Sequence, residues 1–256
     1  MLKIFKPHFF NLLIFAQMTW KDWARKILWA MHLDVTRNLR YDRLTYRVMR
    51  QELTKNSNVI DVGCHKGEVL DWILALAPAG KHLAFEPLPH LAAELRQKYG
   101  DRVRVEESAL SDVVGLTTFQ YVKDSPAYSG ILKREYANAN PIIEELTVNM
   151  TTLDSLSIPD KIDMIKVDVE GGEWAVLSGA SHLIKRDSPL IIFEFGKGAS
   201  EYYGTTPEKM WALLTGWGYS LYDLKSYVKK DVPLTEATLA LAFSTGSEYY
   251  FVAVSH

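Results

Sequence analysis

A chain of 256 residues with 48% hydrophobic and 23% charged residues can build one substantial core, and is too apolar to be a disordered protein. Its one cysteine, Cys64, excludes an internal disulfide framework and a cysteine-rich zinc site, and points to a reducing, cytoplasmic setting. The net charge of −2 hides a gradient: residues 1–50 hold ten Lys/Arg against three Asp/Glu, and the remaining chain holds 19 against 28. Such an acidic body suits nucleic acid poorly.

Residues 1–56 read as a helical, basic extension, with no glycine and only one proline, Pro7. Its longest greasy stretch, Phe9 to Ala16, is interrupted by Asn11 and falls short of the about 20 residues a membrane span needs. The bulky Gln17-Met18-Thr19-Trp20 that follows is no signal-peptidase site. The plainest reading is a pair of helices packed on the domain or capping its site. The basic residues together with Trp20, Trp23 and Trp29 also suit a peripheral membrane contact.

From Asn58 the rhythm changes. Val59 to Gly63 is a short apolar run ending in a turn residue, as expected of a buried parallel strand. Glu68 to Leu76 has helical spacing, His82 to Glu86 is a second strand, Leu91 to Tyr99 a second helix, and Val103 to Glu106 a third strand. Alternation of this kind predicts right-handed βαβ units in a parallel sheet. Residues 111–150 break the alternation and read as a substrate-side insertion, with Gly115 between two strand-like stretches. Strands then follow at Asp163 to Val169 and Leu190 to Phe195, and helices at Trp174 to Leu183 and Pro207 to Gly216, the last capped by Thr206. The tail carries Tyr219 to Leu224, Thr238 to Phe243 and Tyr249 to Val254; the last alternates weakly and suits an antiparallel strand. Residues 57–256 thus form one α/β domain.

Four motifs carry chemistry. Asp61-Val62-Gly63-Cys64-His65-Lys66-Gly67-Glu68 lies at the exit of the first strand, where a glycine turn above a helix start lets a ligand approach the backbone. The dinucleotide fingerprint needs glycine where this chain has His65 and Glu68. Asp61 would repel a diphosphate and attract an ammonium, which favours S-adenosylmethionine over NAD. Glu86 ends the second strand 19 residues beyond Gly67, the position from which a carboxylate accepts ribose hydroxyls. Ser108 and Ala109, after the third strand, are small enough to leave room for a flat adenine. Finally, Lys166 and Asp168 share one side of an otherwise apolar strand that runs into Glu170-Gly171-Gly172-Glu173. A lysine there needs a partner, for which Glu194 in the next apolar strand is the candidate. The alternative is a structural ion pair that fixes the sheet's end.

The series Asp61-x-Gly63-x-x-x-Gly67, Ala84-Phe85-Glu86-Pro87, Ser108 to Asp112, Thr152-Leu153-Asp154 and Ile165 to Glu173 resembles the FkbM methyltransferases over residues 57–196. The family often has Ala-Asn where this chain has Cys64 and His65. The resemblance implies a Rossmann-like class I methyltransferase fold, with a mostly parallel doubly wound sheet, an antiparallel C-terminal strand and N-terminal helices. It implies S-adenosylmethionine as methyl donor, lined by Asp61, Gly63, Gly67 and Glu86; Cys64, His65, Pro87, Ser108 and Ala109 are the further cofactor-binding candidates. It also implies transfer to a hydroxyl of a sugar, glycolipid or secondary metabolite. Asp168, Glu170 and Glu194 are the catalytic candidates, Asp168 first as base, and His65 is a further one. No ligand spacing points to a metal. An NAD-dependent oxidoreductase or a non-catalytic adaptor on a similar fold are the alternatives; a nucleic-acid methyltransferase lacks its Asn-Pro-Pro-aromatic tetrapeptide here.

Overall fold

The computed structural model describes residues 37–136, 138 and 140–255; the expectations for residues 1–36 lie outside them. The chain divides into two compact units, residues 1–44 and 45–256. Of the first, the description covers the opening turns of helix α1 (Arg37–Glu52), whose second half begins the larger unit. No helix among the described residues is long and apolar enough to cross a membrane.

In chain order the larger unit continues with β1 (Val59–Val62), α2 (Glu68–Leu76), β2 (His82–Phe85), α3 (Pro89–Tyr99) and β3 (Val103–Glu106). Next come β4 (Ala109–Leu110), β5 (Gly115–Val122), β6 (Ile143–Thr151), β7 (Met164–Val167), α4 (Glu173–Ser178), α5 (Ser181–Asp187) and β8 (Leu190–Glu194). It ends with α6 (Pro207–Gly216), β9 (Tyr219–Asp223), α7 (Leu224–Lys229), α8 (Glu236–Thr245) and β10 (Tyr250–Ser255).

Seven strands form one sheet in the order β3-β2-β1-β7-β8-β10-β9. The first five run parallel, and β10 runs antiparallel to both β8 and β9. This is the expected Rossmann-like α/β fold. The strands β1, β2 and β7 are buried at every residue, which is why each reads as a continuous apolar run rather than an alternating one. The order of the strands reverses between the parallel neighbours β1 and β7, so their carboxyl ends border the switch point at which open α/β sheets bind ligands. The last strand does more than extend the sheet's edge: it inserts between β8 and β9, so its side chains reach the middle of the sheet end.

Three local outcomes differ from the sequence reading. The helix expected over 174–183 is two, α4 and α5. The Cα of Gly179 lies so close to the Ser111 backbone that a Cβ would sit 2.1 Å from its carbonyl oxygen, and the chain turns there. The new helix start is capped from a distance by Asp154, which accepts the backbone N–H groups of His182 and Leu183 at 2.9 Å each. Residues 111–150 hold real structure: β5 pairs antiparallel with β6 along its length, and β4 completes a three-stranded sheet. Gly115 opens β5 rather than separating two strands. In the tail, α7 starts at an Asp223 cap and α8 at a Thr235–Thr238 capping box.

Candidate active site

The exit of β1 is held by backbone contacts. Gly63 has φ +76°, and a Cβ on it would come within 1.8 Å of the Asp168 carbonyl oxygen. The glycine is therefore demanded by the meeting of two strand exits as much as by any ligand. Gly67 packs against Tyr99, whose hydroxyl donates to the Gly67 carbonyl at 2.6 Å. Between them His65 adopts the left-handed region, φ 47°, and its Nε2 is buried with no hydrogen-bond partner among the described residues. Burial and the neighbouring Lys66 hold the His65 pKa below its ordinary value, which favours the neutral ring. The Cys64 thiol is buried, lies 3.6 Å from the Phe85 carbonyl, and is pushed well up by burial and by Asp61 and Glu86.

Glu86 ties this loop to the exit of β2. Its Oε2 accepts the His65 N–H at 2.9 Å and its Oε1 the Leu88 N–H at 3.0 Å. Burial raises its pKa to about 7 against the pull of those two bonds. Each oxygen keeps a lone pair for a further donor. Pro87 is half-buried beside it.

Three expected site residues behave differently. Asp61 is 0% exposed, Lys166 Nζ lies 3.6 Å from its Oδ1, and both its oxygens are buried with no hydrogen-bond partner among the described residues. The cause is register, because Asp61 and Lys166 are paired neighbours on β1 and β7. Burial raises the Asp61 pKa and Lys166 opposes the rise. Ala109, expected beside an adenine, lies in β4 and packs with Leu88, Leu91, Phe119 and Val148 in the core beneath the small sheet. Ser108, just before it, is also buried. Lys166, expected to pair with Glu194, pairs instead with Asp61 and with Asp168 at 3.1 Å. Lys166 is in register with Ile192, so Glu194 sits two residues nearer the sheet's end.

At that end the catalytic candidates do meet. One oxygen each from Asp168, Glu170 and Glu194 lies within 4.8 Å of the others. The Tyr250 hydroxyl donates to Asp168 Oδ2 at 2.5 Å, and Glu194 also hydrogen-bonds Asp168. Burial would raise the Asp168 pKa, but the Lys166 ammonium and the Glu194 and Tyr250 hydrogen bonds outweigh it and leave the group below its ordinary value. Burial and the charges of Asp168 and Glu170 push Glu194 the other way, well above the usual range. The surroundings thus push two neighbouring carboxyl groups in opposite directions.

Glu170 adopts the left-handed region, φ 60°, and is ion-paired to Arg134 from the insertion. Burial and Asp168 raise its pKa to about 8, with Arg134 opposing. The Arg134 guanidinium also lies 5.3 Å from the centre of the Tyr128 ring. The turn is braced by Glu173, whose Oε1 accepts the Val169 and Gly171 N–H groups at 3.1 and 3.0 Å. The three clustered carboxyl groups have the spacing of a cation site, yet a lysine, an arginine, a tyrosine and a shared proton already engage them. Arg134, Glu173 and Tyr250 were not legible as site residues: one sits in an aperiodic loop, one reads as an ordinary first-turn acid, and one is brought in by strand insertion.

Chemically, the strand exits bring together a proton acceptor, Asp168, with the lysine and the tyrosine that engage its Oδ2. Residues 61–221 match the FkbM methyltransferase domain. NoeI, a 2-O-methyltransferase from Sinorhizobium fredii, is 29% identical over 143 residues, 50% of this chain and 59% of that protein. The chain therefore aligns with less than two thirds of that relative's length. Among solved structures, an FkbM methyltransferase from Methylobacillus flagellatus has a TM-score of 0.46 at 15% identity, over 79% of this chain and 44% of that one. The plantazolicin methyltransferase BamL has a TM-score of 0.45 at 11% identity, over 92% and 91%. With the family's domain matched over more than half its length, the chain belongs to the FkbM methyltransferase family.

Proposed function

We propose that the protein is an S-adenosylmethionine-dependent O-methyltransferase acting on a hydroxyl of a sugar, glycolipid or secondary metabolite. The observation that carries this reading is the placement of Asp168 at the β7 exit, directly across from the glycine loop of β1, with its Oδ2 held by the Lys166 ammonium and the Tyr250 hydroxyl. The relative named as a 2-O-methyltransferase supports transfer to oxygen.

The residues present fit the cofactor. Glu86 at the β2 exit offers lone pairs to two ribose hydroxyls, with Pro87 beside it. The orphaned Nε2 of His65 offers a neutral ring nitrogen to a polar group above the loop that Gly63, Cys64 and Gly67 complete. Asp61 acts from below, as the counter-charge that keeps Lys166 in place. When bound, S-adenosylmethionine supplies a methyl group already activated on a sulfonium.

The chain's own contribution is positional and proton-handling. Asp168 takes the proton of the acceptor hydroxyl as that oxygen gains its methyl. Glu194, protonated, hydrogen-bonds the base and limits repulsion in the cluster; Glu170, anchored by Arg134, shapes its outer side. Tyr128 and Tyr136, around Arg134, suit the apolar face of a sugar ring.

Calorimetry with S-adenosylhomocysteine and NAD, followed by mass spectrometry of sugars and metabolite extracts incubated with the protein and isotope-labelled S-adenosylmethionine, tests the reading. Expected are binding of the homocysteine nucleoside alone and a labelled methyl on a hydroxyl oxygen. Binding of NAD without binding of the nucleoside would sink it.

A further inference from the structure

Asp168 is engaged by a residue 82 positions away in sequence. Strand β10 inserts antiparallel beside β8, and the register places Tyr250 directly opposite Glu194. The Phe195 N–H donates to the Tyr249 carbonyl at 2.8 Å, which ties the start of β10 to the end of β8. From this anchored position the Tyr250 hydroxyl donates to Asp168 Oδ2 at 2.5 Å, on the same oxygen that the Lys166 ammonium approaches at 3.1 Å.

We propose that Tyr250 is a positioning residue for methyl transfer: its hydroxyl, delivered by the inserted strand, pins Asp168 Oδ2 and favours the charged form of that carboxylate. This rests on the reading of Asp168 as the base. A phenol is suited to the task because it donates one hydrogen bond without adding a charge, and burial together with the charge of Asp168 holds its own proton on. Tyr250 deprotonates only far above neutrality, so the bond persists through the working pH range.

The groups that face Asp168 are spread over every neighbouring element: Lys166 on β7, Asp61 on β1, Glu170 in the turn, Glu173 on α4, Glu194 on β8, Tyr250 on β10 and His65 in the glycine loop. Removing the tyrosine hydroxyl leaves the raising effect of burial on Asp168 less opposed. Asp168 should then titrate at higher pH.

The test uses the full chain with carboxyl-carbon ¹³C-labelled Asp and Glu, titrated by NMR, with the Asp168 signal assigned by its loss in Asp168→Asn. In Tyr250→Phe the Asp168 midpoint should move to higher pH, with the remaining carboxyl signals near their wild-type midpoints except that of Glu194. A purely packing role would lower the melting temperature and leave that midpoint in place, and an unchanged midpoint in a folded variant overturns the proposal. If Tyr250→Phe does not fold, the wild-type protein decides. A far-downfield tyrosine hydroxyl proton, lost in Asp168→Asn, is expected, and its absence in the wild type overturns the proposal equally. The base reading fails separately, if Asp168→Asn transfers methyl at the wild-type rate.

Discussion

Asp168 and Glu194 are two carboxyl groups one hydrogen bond apart whose surroundings push their proton affinities in opposite directions. Such a split divides the labour between a base and a proton-bearing neighbour. Asp168→Asn keeps the shape and removes the charge, so single-turnover transfer should slow by roughly 10²- to 10⁴-fold while S-adenosylhomocysteine affinity changes little. Glu86 acts differently. It holds two backbone N–H groups of the loops that flank the crevice, so Glu86→Ala removes a ribose acceptor and loosens those loops together. Calorimetry should show nucleoside affinity weakened by roughly 10- to 100-fold, the loss of one or two charge-assisted hydrogen bonds; an unchanged affinity would remove Glu86 from the cofactor site. At this scale the residue types and their strand ends were legible, because polar groups at the ends of apolar strands stand out. Their partners were not. Whether Lys166 meets Glu194 or Asp61 is decided by register between β1, β7 and β8, which no single-strand pattern encodes.

Elements were legible where burial leaves a periodic trace, and lost where tertiary contact overrides it. The parallel strands and α2, α3 and α6 follow from apolar runs and caps. The break between α4 and α5 does not, since its cause is the approach of the Ser111 backbone to Gly179. Gly179 and Gly63 also separate two costs of a methyl group. At Gly179 the backbone is ordinary, φ −74°, so Gly179→Ala meets only the clash with Ser111, about 1–3 kcal/mol by analogy with overpacked cores. At Gly63 a comparable clash with Asp168 is joined by a left-handed φ of +76°, which adds about 1–2 kcal/mol. Denaturant unfolding should therefore rank Gly63→Ala below Gly179→Ala, and both below the wild type. The reverse order would mean that the β1 exit yields more easily than the contacts imply.

At the scale of the whole molecule, the acidic body was legible from composition, but its consequence for stability was not, because that depends on which acids are buried. Glu86 and Glu173 are buried, Glu170 is partly so, and their pKa values rise to about 7, 7 and 8 from an ordinary 4.5, chiefly through burial. Between about 4.5 and 8 the folded protein holds protons that the unfolded chain has released. Their contribution is therefore fully present below the ordinary carboxylate pKa and is lost as pH rises through 7 to 8. The depressed Asp168 and Asp187 work in the opposite sense, but only at pH below the ordinary value of 3.8. The lowered His65 and His82 oppose this up to the ordinary histidine value of 6.5, so melting temperature should fall most clearly between about pH 6.5 and 8.5. Glu173 allows the clearest check. Its Oε1 takes both backbone bonds, while Oε2 is buried with no hydrogen-bond partner among the described residues. Glu173→Gln keeps the accepting oxygen and removes the ionisable proton, so its melting temperature should decline less steeply than the wild type's and cross above it on the alkaline side. Parallel curves for the two proteins would mean that Glu173 titrates alike in the folded and unfolded states, and that the turn after β7 admits more water than its burial indicates.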